Sequence, residues 1–250
     1  MTSHTTLPTS TRMRHETRRR RLTVVSCEQI TPHMLRIRLS GPDLDGFISP
    51  DPSDHIKLFV PDGSGSTAMR DYTPRQFNLA EGWLAIDFAL HDAGPATRWA
   101  IDARPGDIAE IGGPRGSTVI TGAIERWLLI GDETALPSIG RRIEEMPDGV
   151  EVTSLVAIVD PADRQQLATK ARHHPLWAVR SDPSDPARLL AMLDSIELSE
   201  GMFVWIAAEV GVARALRAAV LARGIEPAWI KAAGYWSAGK PDTSIKELET

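Results

Sequence analysis

The chain has 250 residues, 42% hydrophobic and 24% charged, with a net charge of −5 and one cysteine. That length and balance belong to one large or two ordinary globular domains, and no apolar run approaches the roughly 18 residues of a membrane span. The lone Cys27 excludes an internal disulfide and any thiolate cage for zinc or an iron–sulfur cluster.

Residues 1–21 hold six arginines against Glu16, a net +5, so the other 229 residues carry −10. Such an arm either touches nucleic acid or anionic lipid or is solvated and disordered, and the disordered basic arm is the expectation. The acidic body argues against a nucleic-acid-binding domain. No apolar core follows the arginines, which leaves no secretory or twin-arginine signal. With one cysteine, the chain is expected in a reducing cytoplasm, as a monomer that does not insert into a membrane.

From Leu22 the pattern alternates in short pieces, Leu22, Val24 and Cys27, then Met34 to Leu39 with Arg36 and Arg38 facing away, the period of half-buried strands. Thr31-Pro32 marks a turn, and Gly41-Pro42-Asp43 breaks the second strand. His55 to Val60 reads as another strand, and Pro61 to Ser66 as an exposed loop; further strands are expected at 72–78, 83–90 and 107–111. Short strands at this spacing predict a small antiparallel barrel over residues 22–122.

Within it, Arg70-Asp71-Tyr72-Thr73-Pro74-Arg75 places a ring, a hydroxyl and two guanidiniums in six residues. The combination suits a ligand with a flat ring at one end and a pyrophosphate at the other. The alternative is an edge strand with solvated charges, ended by Pro74. Asp87, Phe88 and His91 precede Gly94-Pro95-Ala96-Thr97, where small residues and a helix start at Pro95 would aim free N–H groups at an anion. His91 has no second ligand at helical spacing, and no metal site is expected.

Near Thr121 the texture changes. Trp127–Ile130, Val152–Val159 and Met202–Ala208 are continuous apolar runs, as in parallel strands buried on both faces. Helical stretches are expected at 137–146, 186–194 and 210–223, the last with an apolar stripe at Val212, Leu216 and Val220. Strand–helix alternation predicts a Rossmann-like α/β domain with a parallel sheet over 123–240, followed by a polar tail at 241–250. The turn Gly131-Asp132-Glu133-Thr134-Ala135-Leu136-Pro137 sits where such sheets bind ligands, although G-x-G-x-x-G spacing is missing. Thr134 would cap the helix, and Asp132 and Glu133 would point away from a pyrophosphate or bind ribose hydroxyls. Glu209 ends the last buried strand, and Arg214 and Arg217 on the next helix either meet a 2′-phosphate or are solvated.

In this order the segments resemble the siderophore-interacting protein family, ferric-siderophore reductases of the ferredoxin-reductase-like superfamily. The resemblance spans residues 22–240 and rests on Arg70-x-Tyr72-Thr73-x-Arg75, His55-Ile56-Lys57-Leu58, His91-x-x-Gly94-Pro95-Ala96-Thr97-x-Trp99-Ala100, Gly131 to Pro137 and Gly234-Tyr235-Trp236. It implies a six-stranded Greek-key-type barrel holding FAD through Arg70, Tyr72, Thr73 and Arg75, with Tyr72 and Thr73 at the reacting ring. Asp87, Phe88 and His91 would lie beside the cofactor, and Gly94, Ala96 and Thr97 would cradle its pyrophosphate. It implies NADPH or NADH as donor, bordered by Asp132, Glu133, Thr134 and Glu209. A ferric siderophore would be drawn in by Lys57 with Arg115 or Lys231. Ser237 stands where the family often has a basic residue, and Ala208 where a Gly commonly precedes the Glu. Rivals are a flavin reductase using free flavin, quinone or a redox partner as acceptor, and a siderophore-binding protein without turnover.

Overall fold

The computed structural model describes residues 7–90, 94–240, 244–245 and 247–248. The chain divides into two compact units, residues 11–119 and residues 120–250 together with the first ten.

The first unit is built from strands. They are β1 (Thr9–Arg14), β2 (Arg19–Thr31), β3 (Met34–Ser40), β4 (Ile56–Pro61), β5 (Thr67–Tyr72), β6 (Gln76–Asn78), β7 (Trp83–Ala89), β8 (Ile108–Gly112) and β9 (Gly116–Thr121), with helix α1 (Pro95–Asp102) between β7 and β8. Seven of them form one sheet in the order β5-β4-β8-β2-β3-β7-β6, every neighbouring pair antiparallel. The strand count is thus seven rather than six. β8 enters between β2 and β4, which gives the out-of-order connection of a Greek key.

Alternation sets the two faces. Leu22, Ile37, Leu39, Ile56, Leu58, Leu84, Ile86 and Ile111 are at most 1% exposed and form one core. Cys27 is half-buried against that core, its thiol on the carbonyl of Ala103 at 3.4 Å.

The expected strand at 72–78 is interrupted. β5 stops at Tyr72 and β6 begins at Gln76, and Thr73, Pro74 and Arg75 are buried between them. Pro74 has no N–H to offer a ladder, which accounts for the break.

From Thr9 onward the arginine arm is not a free tail. β1 pairs with β9, and β2 begins at Arg19, so Arg12 and Arg14 lie on one strand and Arg19, Arg20 and Arg21 on another. A side chain at Gly116 would strike the carbonyl oxygen of Met13, so the close approach of β1 to β9 requires glycine there.

The second unit contains β10 (Arg126–Gly131), α2 (Leu136–Glu145), β11 (Glu151–Ile158), β12 (Arg172–Val179), α3 (Ala187–Leu193), β13 (Met202–Glu209), α4 (Val210–Ala222) and β14 (Ile230–Trp236). Its five strands are parallel in the order β12-β11-β10-β13-β14. The order reverses between β10 and β13, and in doubly wound sheets the ligand crevice lies at the carboxyl ends of strands at such a point. Gly131 makes the junction possible. A Cβ there would sit 2.7 Å from the oxygen of Ala207 and 2.8 Å from Cβ of Ala135.

In the expected tail, Ile245 and Gly234 exchange backbone hydrogen bonds and Leu248, 6% exposed, donates to Ala232, so the described residues there are anchored to β14. No helix among the described residues is long and apolar enough to cross a membrane.

Candidate functional sites of the two units

In the first unit, register separates the expected residues by face. Ile56 pairs with Tyr72 and Leu58 with Arg70, so these side chains share the core-facing side. Lys57 pairs with Asp71 on the opposite face, where Nζ lies 3.0 Å from the carboxylate. Tyr72 packs on Phe88 with ring centroids 4.4 Å apart, and Phe88 on Trp99 at 5.9 Å. Phe88 is itself fully buried, so it backs the tyrosine rather than facing a ligand. Burial pushes the Tyr72 phenol above its ordinary range, against a smaller opposing pull from Arg70, and the hydroxyl stays neutral.

Arg75 is 2% exposed, and its Nε lies 3.5 Å from Asp87. Asp87 is also gripped by Arg36 across β3 and β7, at 2.6 Å from Nε and 2.8 Å from Nη2. Two guanidiniums therefore share one buried carboxylate. Arg36 was read only as an outward-facing strand residue; its pairing with Asp87 depends on the β3–β7 register, which local pattern does not encode.

α1 starts at Pro95 as expected, with Gly94 as its N-cap and no side-chain cap. A Cβ at Gly94 meets nothing within 4 Å among the described residues, while Ala96 and Thr97 are 3% exposed. The first turn thus has open space at Gly94 and, among the described residues, no side-chain cap on its N–H groups. His91 lies outside the described residues. An aromatic ring, buried guanidiniums and an uncapped helix start fit a group with a flat heteroaromatic system and a pyrophosphate.

In the second unit the expected residues gather at the switch point, but all three carboxylates are occupied by the protein itself. Asp132, 1% exposed, accepts from Thr134 N at 2.9 Å and Thr134 Oγ1 at 2.6 Å on Oδ1, and from Glu209 N at 3.0 Å and Trp236 Nε1 at 2.9 Å on Oδ2. It ties the ends of β10, β13 and β14. Thr134 does not cap α2, whose N-cap is Ala135. Glu209 caps α4, accepting from Gly211 N at 2.5 Å and Val212 N at 3.1 Å, while its other oxygen takes Ala238 N at 3.3 Å. The N-terminus of α4 is therefore filled by a carboxylate rather than open to a phosphate.

Glu133 pairs with Arg180, just past β12, at 2.7 Å. Burial, and then the charge of Asp132, push the Glu133 carboxyl up to about 7 against the pull of Arg180. The sequence reading has no strand at β12, an edge strand whose apolar run is confined to its second half, Leu176–Val179, after His173, His174 and Pro175. Trp236 was visible only as one of two adjacent aromatics.

Lys231 lies near the amino-terminal end of β14, away from the strand ends that carry Asp132 and Glu209. There it lines a cavity of about 230 Å³ with Arg217 and Glu247, which also removes Arg217 from the crevice. Arg115 is exposed beyond β8, three residues from Gly112, which pairs with Lys57.

Residues 124–239 match the family model described as siderophore-interacting protein, and residues 23–68 and 62–118 match that of the siderophore-interacting FAD-binding domain. The NADPH-dependent ferric-chelate reductase of Escherichia coli (strain K12) is 34% identical over 248 residues, covering 91% of this chain and 96% of that one. A crystal structure of a siderophore utilization protein from T. fusca superposes with a TM-score of 0.88 at 32% identity, over 94% of this chain and 98% of that one. A ferredoxin reductase of carbazole 1,9a-dioxygenase shares the fold at a TM-score of 0.69 and 15% identity, over 86% of this chain and 66% of that one.

Proposed function

Because the chain belongs to the siderophore-interacting protein family, we propose that it is an FAD-dependent reductase that takes electrons from NADPH or NADH and delivers them to the Fe(III) of a ferric siderophore. The observation that carries this reading lies in the first unit. Tyr72, backed by Phe88, stands on the same face as Arg70 in a unit that also holds buried Arg75 and the uncapped start of α1.

Bound FAD would supply the conversion between a two-electron hydride donor and a one-electron acceptor. The remaining work falls to the chain. Tyr72 offers a neutral ring to one face of the isoalloxazine, and Thr73 a hydroxyl to its polar edge. Arg70 and Arg75 would supply charge for the phosphates, with Arg75 beside Asp87, whose carboxylate is itself gripped by Arg36. Gly94, Ala96 and Thr97 leave room for the pyrophosphate at the helix start.

In the second unit, Asp132 and Glu209 hold the crevice rim in shape through their own hydrogen bonds. Glu133, Thr134 and the indole of Trp236 line the place where the nicotinamide donor would lie. Lys57 and Arg115 would meet the chelate. Each NADPH yields NADP⁺, a proton and a pair of electrons, one for each of two ferric centres. Hard oxygen chelators hold Fe(II) less firmly than Fe(III), so reduction releases the metal.

Steady-state turnover tests the substrate. A ferric siderophore is expected to be reduced with higher kcat/KM than free flavin or a quinone; iron chelates no better than those acceptors would move the protein to another reductase class.

A further inference from the structure

The arginines at the start of β2 do not belong to the flavin or nicotinamide sites, yet their placement is specific. Arg19 and Lys57 pair with the same residue, Gly112, from opposite sides of β8, so the two cations flank its end on the outer face of the sheet. The Phe59 ring lies across Gly112, where a Cβ would come within 3.1 Å of it, and the guanidinium of Arg19 rests 3.9 Å from that ring's centroid. Stacking fixes the orientation of a side chain that is otherwise 63% exposed. Arg115 is exposed three residues beyond Gly112, after buried Gly113 and Pro114.

Beneath them lies Arg20, 5% exposed. It donates to the carbonyls of Arg18, Gly113 and Gly46 at 3.2–3.3 Å, and its Nε has no hydrogen-bond partner. No carboxylate forms an ion pair with it among the described residues; Asp43, which accepts from Arg21 N, acts on it only at a distance. The carboxylates in the cluster are Glu110, 3.6 Å from Arg19, and Asp71, on Lys57. A chain of net charge −5 therefore concentrates Arg18, Arg19, Arg20 and Lys57 at one end of β8, with Glu110, Asp71 and, more distantly, Asp43 as the carboxylates around them. Local positive potential of this kind raises the encounter rate and affinity of anions.

We propose that the start of β2 completes the ferric-chelate site, with Arg19 joining Lys57 to bind the negative charge of an anionic ferric chelate and Arg20 holding the end of β8 in position beneath them. This deepens the ferric-siderophore reading and rests on it. It also names the substrate class: acidic chelates, such as ferric tris-catecholates, are preferred over neutral ferric tris-hydroxamates.

The test is binding of both chelates to the purified full chain, followed by quenching of tryptophan fluorescence. Wild type is expected to bind the tris-catecholate more tightly, with an affinity that falls as salt rises. Arg19→Ala is expected to weaken the tris-catecholate about tenfold, the value of one charged hydrogen bond, and the tris-hydroxamate less than about twofold, as for an exposed charge contact. Arg19→Lys should recover part of the loss, and Arg12→Ala, which removes the same charge from β1, should leave the ratio of the two affinities in place. An equal shift for both chelates in Arg19→Ala, or none for either, overturns the proposal. Binding of neither chelate by wild type instead overturns the ferric-chelate reading and takes this proposal with it.

Discussion

Trp236 donates its indole N–H to Asp132 at 2.9 Å, joining the last strand of the parallel sheet to the turn after its first. The same carboxylate oxygen takes the backbone N–H of Glu209, and the other oxygen holds Thr134. One buried side chain thus fixes three strand ends at the switch point.

Asp132→Ala removes the acceptor for all of these donors at once. Leaving buried donors unmet should lower unfolding stability by about 3 kcal/mol, read as a shift in urea midpoint, and should move Trp236 emission toward that of a solvated indole. An unchanged midpoint would mean that water or another group replaces the carboxylate.

Glu133 gives a pH signature. Its carboxyl is raised from an ordinary 4.5 to about 7, chiefly by burial. The folded state therefore holds the proton more tightly than the unfolded chain. The contribution is fully present below 4.5 and is lost as pH rises toward about 7. Glu133→Gln removes that titration. Wild type should lose on the order of 3 kcal/mol relative to the variant across this window, measured by denaturant unfolding at its two ends. Parallel pH profiles for the two proteins would refute the assignment.

Tyr72 separates ring from hydroxyl. Tyr72→Phe keeps the packing on Phe88 and should retain flavin, while Tyr72→Ala should weaken FAD binding about tenfold through loss of an aromatic contact. Equilibrium dialysis of FAD reads both. Full retention by Tyr72→Ala would remove the ring from the flavin site.

Much of this was legible in the chain. The apolar runs at 127–130, 152–159 and 202–208 became β10, β11 and β13, because strands buried on both faces must be apolar throughout. Pro95, Pro137 and the stripe on α4 marked the helices for equally local reasons. β12 escaped because its apolar run, Leu176–Val179, is short and follows His173, His174 and Pro175, which hide the strand's first half. The arm escaped because its arginines are placed by pairing with β8 and by backbone carbonyls of Gly46 and Gly113, partners distant in sequence. For the same reason Asp132 and Glu209 could be named as crevice residues, but not as carboxylates already filled by Trp236, Ala238 and the start of α4. Composition also could not say which end of its strand holds Lys231; the register of β14 on β13 sets it at the amino-terminal end.

The most direct measurement is an anaerobic titration of the FAD-loaded protein. NADPH should bleach the flavin absorption, and a ferric siderophore added next should restore it while ferrous iron forms at one electron per iron. Bleaching that a ferric siderophore does not reverse, or a protein that takes up no flavin, would contradict the account.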